Sequence, residues 1–329
     1  MENDNISIGH ITMSGSRKIE VVSYNPEWPR MFAAEADLIR KALGENCIAI
    51  HHVGSTSVPG LAAKPKIDII IVVKEAENSI INLESIGYQY KGEYNIPFHF
   101  GFSKRGDTNV NLHVYEEGNP EIELNLLFRD YLRTHPEALN EYAKLKAYLL
   151  TQPTSFEKNN SIFTGYNLGK DTFIRKLLQK AGFNKLRMHH CTHYEEWEAA
   201  KIFRQKYFFD KVPISDPYTW TFNHPEHVHL VLYNGTKIIG YAHLQLWLEQ
   251  RAAIRIIVID EAFRNQNFGG QFLALCEKWL KSKNYKSLHT ESSPAAYVFY
   301  KKHGYKEMPF NDPVGYESDP QDIPMGKIL

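Results

Sequence analysis

Two stretches of the sequence combine glycines with polar side chains in patterns that suit phosphate chemistry. In the first stretch, Gly54 and Ser55 follow an apolar segment, and Asp68 comes after Lys64 and Lys66. Glycine and serine at a strand end let a backbone N–H and a hydroxyl approach phosphate oxygens. An aspartate on the next strand can hold Mg²⁺ beside that phosphate, and the lysines can offset further charge. The alternative is a glycine-rich surface turn with a lone aspartate.

The second stretch is the loop 264–270, which lies between an apolar segment and an amphipathic one. A loop that opens a helix exposes consecutive backbone N–H groups, and the helix dipole adds partial positive charge. This geometry favours a pyrophosphate, and Arg264 would add a full positive charge. Taken alone, the loop can equally be an ordinary helix start eased by Gly269 and Gly270.

The elements that must position these residues follow from apolar periodicity. The segments Cys47–Val53 and Ile67–Val73 predict buried strands, and helical spacing over 29–43 predicts an amphipathic helix. Further strands are predicted over 109–115, 185–191, 227–233, 237–247, 252–259 and 286–291, and further helices over 121–150 with a break at Pro136, 171–181, 194–208, 268–282 and 294–303. Strands and helices mix in both halves, which predicts an α/β (α+β) class with a mixed sheet in each half.

Composition excludes several classes of protein. The chain has 329 residues, which favours two domains, and 38 Lys+Arg balance 38 Asp+Glu. Binding to a nucleic acid needs a surplus of basic residues, so such a partner is not expected. The three cysteines lie far apart, which excludes a disulfide framework. We find no signal peptide and no apolar run that could span a membrane, so we expect a cytoplasmic protein without a membrane partner.

The first stretch and its surroundings resemble the GrpB family. The resemblance rests on HVGSTSVPGL at 52–61, KPKID at 64–68, YNPEWP at 24–29, NLHVY at 111–115 and LLFRDYLR at 126–133. It covers about residues 18–182 and implies a nucleotidyltransferase-like fold, whose active members use Gly-Ser, then Asp-x-Asp and a third carboxylate. Here Ile70 replaces the second carboxylate and His113 stands where a third might lie. Binding of a nucleotide or phosphate is therefore expected rather than catalysis, with Mg²⁺ held, if at all, by Asp68. The predicted binding residues are Gly54, Ser55, Thr56, Lys64, Lys66, Asp68, His113 and Arg129.

The second stretch and the residues after it resemble the GNAT acetyltransferase superfamily over roughly 184–329. The order is a strand, an Arg-x-x-Asn-x-Gly loop, a helix, a strand, then Ala296-x-x-x-Tyr300 ahead of Gly304 and Tyr305. Asn267 stands where the first loop glycine is usual, but asparagine tolerates left-handed backbone. Ser293 stands where many members have asparagine. The resemblance implies that acetyl-CoA is the cofactor and assigns its binding to Ile257, Val258, Ile259, Arg264, Gln266, Asn267, Phe268, Gly269, Gly270, Ser293 and Ala296.

The mechanism that the GNAT resemblance implies is direct attack of an amine on the acetyl thioester. Tyr300 would then protonate the departing thiolate, although a tyrosine on an amphipathic helix can also be a core aromatic. Arg255 occupies the strand where members often carry a glutamate base. On the next strand, His289 and Glu291 alternate onto one face and could relay a proton, or they could form a solvated face.

These observations predict a leader over 1–17, a GrpB-like domain over 18–182 and a GNAT-like domain over 183–329. We expect acetyl transfer to a small-molecule amine, together with an N-terminal domain that binds a nucleotide or phosphate. Two alternatives stay open. One is Mg²⁺-dependent nucleotidyl or phosphoryl transfer by the N-terminal domain, and the other is a non-catalytic binding protein in which both sites have decayed.

Overall fold

The computed structural model describes residues 20–158, 162–210, 214–315 and 319–329, so the predicted leader 1–17 lies outside the described residues. The chain divides into two compact units, of which the first ends at Arg187 and the second begins at Met188. Each unit holds a mixed sheet with helices, which confirms the predicted fold class.

The first unit is built on a five-stranded sheet of order β1-β2-β5-β4-β3. Strand β2 runs parallel to β5 and antiparallel to β1, and its side chains Ile69, Ile71 and Val73 are fully buried. This position explains its continuous apolar sequence, because both faces are covered. The elements are α1 (Trp28–Leu43), β1 (Cys47–Val53), β2 (Ile67–Val73), α2 (Ser79–Glu84), β3 (Gln89–Gly92), β4 (Phe100–Lys104), β5 (Val110–Glu116), α3 (Pro120–Thr134), α4 (Pro136–Leu150), α5 (Gly165–Leu168) and α6 (Asp171–Lys180).

The second unit is built on a seven-stranded sheet of order β11-β12-β10-β9-β8-β7-β6. The predicted β7–β8 hairpin is present, and its turn lies at Gly235 and Thr236, because Asn234 still pairs with Lys237. Gly235 supplies the positive φ, at 58°. The elements are β6 (Leu186–His190), α7 (Tyr194–Arg204), β7 (His227–Asn234), β8 (Lys237–Leu246), β9 (Arg251–Ile259), α8 (Phe268–Ser282), β10 (Ser287–Ser292), α9 (Tyr297–Lys302), β11 (Lys306–Glu307) and β12 (Ile323–Ile328).

Some sequence predictions of the elements are wrong. Strands β3, β4, β11 and β12 were not predicted, and of these β3 and β11 span only 4 and 2 residues. Helix α9 begins at Tyr297 rather than at residue 294, because a turn precedes it in which the N–H of Ala296 donates to the carbonyl of Ser293 at 2.9 Å. All three cysteines are free thiols, as predicted. In the described part of the chain, no helix combines the length and the apolar character needed to cross a membrane.

Candidate functional site

A large cavity opens in the second unit where strands β9 and β10 separate. The parallel ladder between them joins only residues 251–253 to 287–289. Beyond that point β9 is paired on its other side with β8, and Ile257, Val258 and Ile259 line a cavity of about 1240 Å³. The open edge of β9 therefore offers backbone N–H and C=O groups to an extended ligand.

The loop 264–270 borders this cavity and carries two residues in left-handed backbone. Asn265 and Asn267 both have a φ of 63°. Asparagine is among the residues that tolerate this region, so Asn267 adopts the conformation for which a glycine would otherwise be needed. Helix α8 begins at the next residue, Phe268, which places the N-terminus of the helix at the cavity.

The two glycines in the first turn of α8 have different surroundings. A Cβ atom on Gly269 would meet Phe299 at 3.5 Å, an ordinary contact on the cavity wall. A Cβ atom on Gly270 would lie 2.5 Å from Nε2 of His303 and 2.9 Å from Oδ1 of Asn267. Gly270 is thus required by the close approach of two side chains, whereas Gly269 leaves room in the cavity.

Two side chains add a charge and a proton donor to the cavity. The Nε of Arg264 donates to the carbonyl of Ile259 at 3.0 Å, and its guanidinium lies over the ring of Tyr207. Tyr300 is only 5% exposed, and burial raises its pKa to about 12. Its phenol therefore stays protonated near neutral pH and can donate a proton.

The structure brings together most of the residues that the sequence assigned to acetyl-CoA. Gln266 is not among the described lining residues, while Tyr207, Phe299 and His303 line the cavity and were not foreseen. The predicted residues that do line it are Ile257, Val258, Ile259, Arg264, Asn267, Phe268, Gly269, Gly270, Ser293, Ala296 and Tyr300.

A second cavity of about 480 Å³ adjoins the same strand. Ile256 of β9 lines it, and the next residue, Ile257, lines the larger cavity. The described side chains around it are Arg204, Phe208, Phe209, Tyr218, Thr221, His227, His243, Arg255, Ile256, Asp319 and Asp322.

Both arginines of the second cavity are held by carboxylates. The guanidinium of Arg204 contacts Asp216 at 2.5 and 3.0 Å, and Arg255 contacts Asp312 at 2.6 Å. Two further carboxylates, Asp319 and Asp322, also line the cavity. The cavity is therefore suited to a cationic ligand rather than to an anion.

Two buried imidazoles of this cavity have their tautomers set by Arg204. Its Nη1 lies 3.2 Å from Nδ1 of His243, and since a guanidinium can only donate, that nitrogen accepts. The other nitrogen of a neutral His243, Nε2, then donates to Nδ1 of His227 at 2.7 Å. Burial, with His224 and the two cavity arginines nearby, lowers the pKa of His227 to about 4, so it is neutral with its proton on Nε2.

Asp322 is the better proton acceptor in this cavity. Burial raises its pKa, and the neighbouring carboxylates of Asp319 and Glu291 raise it further. A carboxylate with a raised pKa is a stronger base than an ordinary aspartate, which is the property that a general base requires.

The structure does not bring His289 and Glu291 to either cavity lining. The Nε2 of His289 lies 2.9 Å from Oγ of Ser287, and its ring packs near Trp247 inside the unit. Burial lowers the pKa of His289. The carboxylate of Glu291 raises the pKa of Asp322, which lines the second cavity. The relay through His289 and Glu291 therefore stays a prediction without geometric support, and both faces of β10 are largely buried at these positions.

The first unit has a smaller cavity of about 230 Å³ beside β2. Ser55, Thr56, Lys64, Lys66 and Asp68 line it, as the sequence predicted. Sequence reasoning missed the other described lining residues, which are Ala63, Asn111, Lys146, Tyr166, Asn167 and Lys170.

Gly54 and Asp68 lie in contact at the edge of this cavity. Gly54 has a φ of 69°, and a Cβ atom on it would lie 2.5 Å from Oδ2 of Asp68. The other carboxylate oxygen accepts a hydrogen bond from Asn111 at 2.9 Å. The glycine of the Gly-Ser pair is therefore needed both for its backbone angle and for its lack of a side chain.

His113 and Arg129, also predicted to bind phosphate, have other partners. Nδ1 of His113 lies 2.9 Å from Nε2 of His99, and burial lowers the pKa of His113 to about 4. Arg129 donates to Asp130 and to the carbonyl of His52. Both side chains are used in packing the unit, so the prediction that they line the phosphate cavity is corrected.

The donor set at Asp68 does not fit Mg²⁺. That ion requires near-octahedral oxygen ligation, with anionic ligands from the protein or a substrate. Across the described ranges, no group of three or more His, Cys, Asp and Glu side chains could hold a metal. Asp68 is accompanied by an amide and by lysine ammonium groups, which repel a cation.

Comparison with known proteins identifies both units. Residues 18–180 match the family described as GrpB protein, and residues 190–305 match the Acetyltransferase (GNAT) family. The fold and its cavities thus define a two-unit α/β protein with an acetyltransferase-type second unit. The chain belongs to the GrpB family, to which a GNAT domain is joined.

Several relatives support this assignment. The UPF0157 protein YqkA of Bacillus subtilis is 41% identical over 170 residues, which are 50% of this chain and 48% of that protein. This chain thus spans about half the length of that relative. The UPF0157 protein BH1888 of Halalkalibacterium halodurans is 38% identical over 45% of this chain and 77% of its own length.

Solved structures are similar to each half. GrpB from Enterococcus faecalis is 36% identical, with 49% of this chain and 96% of that chain covered and a TM-score of 0.43. An acetyltransferase of the GNAT family from Staphylococcus aureus Mu50 is 17% identical, with 44% and 99% covered and a TM-score of 0.37.

Proposed function

We propose that the second unit transfers an acetyl group from acetyl-CoA to the amine of a small-molecule acceptor. One observation carries the proposal: the helix-opening loop, the open edge of β9 and Tyr300 all line a single cavity. The loop suits a pyrophosphate, the open edge suits an extended pantetheine arm, and Tyr300 supplies a proton donor.

The residues of the two cavities divide the proton transfers between them. Acetyl-CoA, when bound, supplies the thioester carbonyl that the acceptor amine attacks. Asp322 takes the proton that the amine must lose as its nitrogen bonds to the acetyl carbon. Tyr300 gives its phenolic proton to the sulfur as the carbon–sulfur bond breaks, and solvent reprotonates the phenolate.

The charge of the second cavity supports a cationic amine as the acceptor. Arg204 and Arg255 are paired with Asp216 and Asp312, while Asp319 and Asp322 also face the cavity. Carboxylates attract an ammonium group, which loses one proton to solvent before its nitrogen attacks. Asp322 then takes the second proton as the nitrogen bonds to the acetyl carbon. A screen of mono-, di- and polyamines identifies the acceptor.

We also propose that the first unit binds a phosphate-bearing ligand, such as a nucleotide. The support is the cavity in which Ser55, Lys64 and Lys66, all foreseen from the sequence, meet further lysines. Nucleotidyl transfer by two metal ions lacks such support, since Ile70 stands where a second carboxylate would be needed.

Calorimetric titration of the full chain with acetyl-CoA tests the proposal for the second unit. We expect binding near micromolar, which is about −8 kcal/mol. Gly269→Trp should abolish it, because the new side chain would grow from the cavity wall toward Phe299. Lys281→Trp, an exposed position on the same helix, is the matched control.

An amine screen with detection of released thiol then separates transfer from binding. Acetyl-CoA binding with amine-dependent thiol release supports the enzyme. Binding without release from any amine favours the non-catalytic alternative, and no binding by the native chain overturns the proposal.

A further inference from the structure

The cavity of the first unit gathers four lysine side chains around one carboxylate. Lys64, Lys66, Lys146 and Lys170 line it together with Asp68. When all five groups are ionised, the four ammonium charges exceed the single carboxylate by three. Such a surplus in one small cavity is unfavourable unless an anion compensates it.

Lys146 reaches the cavity from helix α4 and is only 4% exposed. Its ammonium donates to Oγ of Ser55 at 3.0 Å and to the carbonyl of Ala62. An ammonium group has three N–H donors, so these two bonds within the described residues leave one N–H for a ligand. Lys146 thereby links the predicted Gly-Ser turn to a helix about 90 residues later in the chain.

Lys64 and Lys170 are held over the ring of one buried tyrosine. Their Nζ atoms lie 4.5 and 4.6 Å from the ring centroid of Tyr166, which is 2% exposed. A cation–π contact positions an ammonium group without neutralising its charge. The two lysines are therefore kept in place with their charge still available to an anion.

Burial and mutual repulsion lower the pKa values of two of these lysines. Burial, with Lys170 and Lys64 nearby, lowers the pKa of Lys146 to about 7. Burial, with Lys64 nearby, lowers the pKa of Lys170 to about 8. A bound anion would favour the charged form of both.

We propose that this cavity is a metal-independent site for a condensed phosphate, a diphosphate or triphosphate group, in which lysine ammonium groups take the place of Mg²⁺. The inference rests on the proposed phosphate binding by the first unit, and it specifies the chemical class of the ligand and its independence of metal. The donor set around Asp68 disfavours a cation, and the lysines provide the charge that a metal ion would otherwise supply.

The size of the cavity indicates which part of a ligand it holds. At about 230 Å³ it is smaller than the roughly 300–1,000 Å³ of pockets that enclose whole drug-sized ligands. It therefore accommodates the phosphate chain, and the nucleoside of a nucleotide would lie outside. Free pyrophosphate and a nucleotide are both possible sources of this group.

Calorimetry of the full chain with pyrophosphate and with ATP tests the inference. The full chain carrying Gly269→Trp is used throughout, so that the loop 264–270 of the second unit does not take up the ligand. Each titration is run in EDTA and in excess MgCl₂. We expect binding in EDTA that Mg²⁺ does not strengthen. Equal affinity for the two ligands would assign recognition to the phosphate chain, and tighter binding of ATP would add contacts with the nucleoside, so either supports the inference.

Two variants and a matched control identify the cavity as the site. Lys146→Met and Lys170→Met each remove one charged donor and should weaken binding about tenfold or more. Lys144→Met lies two residues from Lys146 on the exposed face of α4 and should leave affinity unchanged. Thermal melting checks that each variant is folded. If Lys146→Met does not fold, Lys170→Met alone tests the cavity.

The outcomes separate the inference from the function on which it rests. Binding that requires Mg²⁺ would overturn metal independence while phosphate binding survives. Binding in EDTA that neither lysine variant weakens would place the ligand elsewhere and overturn the inference. The absence of binding in both buffers would overturn phosphate binding by the first unit altogether.

Discussion

Nε2 of His243 lies 2.7 Å from Nδ1 of His227. His243 is the donor of this hydrogen bond, because its other ring nitrogen, Nδ1, accepts from Arg204. The outer nitrogen of His227 is consequently an N–H donor. Two imidazoles at an acceptor cavity would ordinarily be the first candidates for a general base. In the proposed mechanism, Arg204 sets the tautomers that remove them from that role, and we assign the role to Asp322.

Asp322→Asn should therefore lower the rate of acetyl transfer by about 10²–10⁴-fold while leaving acetyl-CoA affinity unchanged. The pKa of Asp322 is raised by burial and by neighbouring carboxylates, so native activity should fall as pH drops and the carboxylate is protonated. Steady-state rates against pH test this. His227→Gln retains an N–H donor and is the control, and a larger loss in that variant would reassign the base to the imidazole.

Tyr300→Phe should lower turnover by about 10²–10⁴-fold with little change in acetyl-CoA affinity. The phenol is buried with a pKa of about 12, and only the hydroxyl is removed. Thiol release and calorimetry measure the two effects separately. Tyr297→Phe on the same helix, whose hydroxyl contacts Glu307, is the control. If turnover of Tyr300→Phe equals that of the native protein, the tyrosine is a core aromatic.

Asn267 is expected to matter for acetyl-CoA binding through its backbone. Asn267→Val forces a β-branched residue into a φ of 63°, at a cost of about 1–2 kcal/mol, or roughly tenfold in affinity if the loop rearranges. Asn267→Gly should bind at least as well as the native protein. Calorimetry compares the two, and a glycine variant as weak as the valine variant would implicate the amide side chain instead.

Anion affinity of the first unit should fall as pH rises from about 7 to about 9, because Lys146 and Lys170 lose their protons there in the empty cavity. The groups that face Lys146 are Lys64, Lys170 and Asp68, with the ring of Tyr142 beneath it. ATP is a suitable probe, because any further ionisation of its phosphate chain over this range would strengthen binding to lysines, so a fall in affinity comes from the protein. Lys146→Met should flatten the lower part of the profile, and an unchanged profile would contradict the assignment.

Site residues that lie close together in the chain could be predicted from the amino-acid sequence alone. Ser55, Thr56, Lys64, Lys66 and Asp68 line one cavity because a strand, a tight turn and a second strand bring them together locally. Most of the residues that line the larger cavity of the second unit were predictable for the same reason, since its strand, loop and helix follow one another in the chain.

Only the tertiary structure decided which distant side chains complete these sites. Lys146 lies on α4 and Lys170 directly precedes α6, and neither sequence marks them as ligand-binding residues. Packing brings Lys146 to Ser55 and places Lys170 in the lining of the same cavity. Asp322 and His227 likewise lie far apart in the chain and line one cavity in the folded unit. Such contacts are set by long-range burial and packing, which leave no periodic trace in the sequence, and the same packing took His113, Arg129 and His289 away from their predicted places.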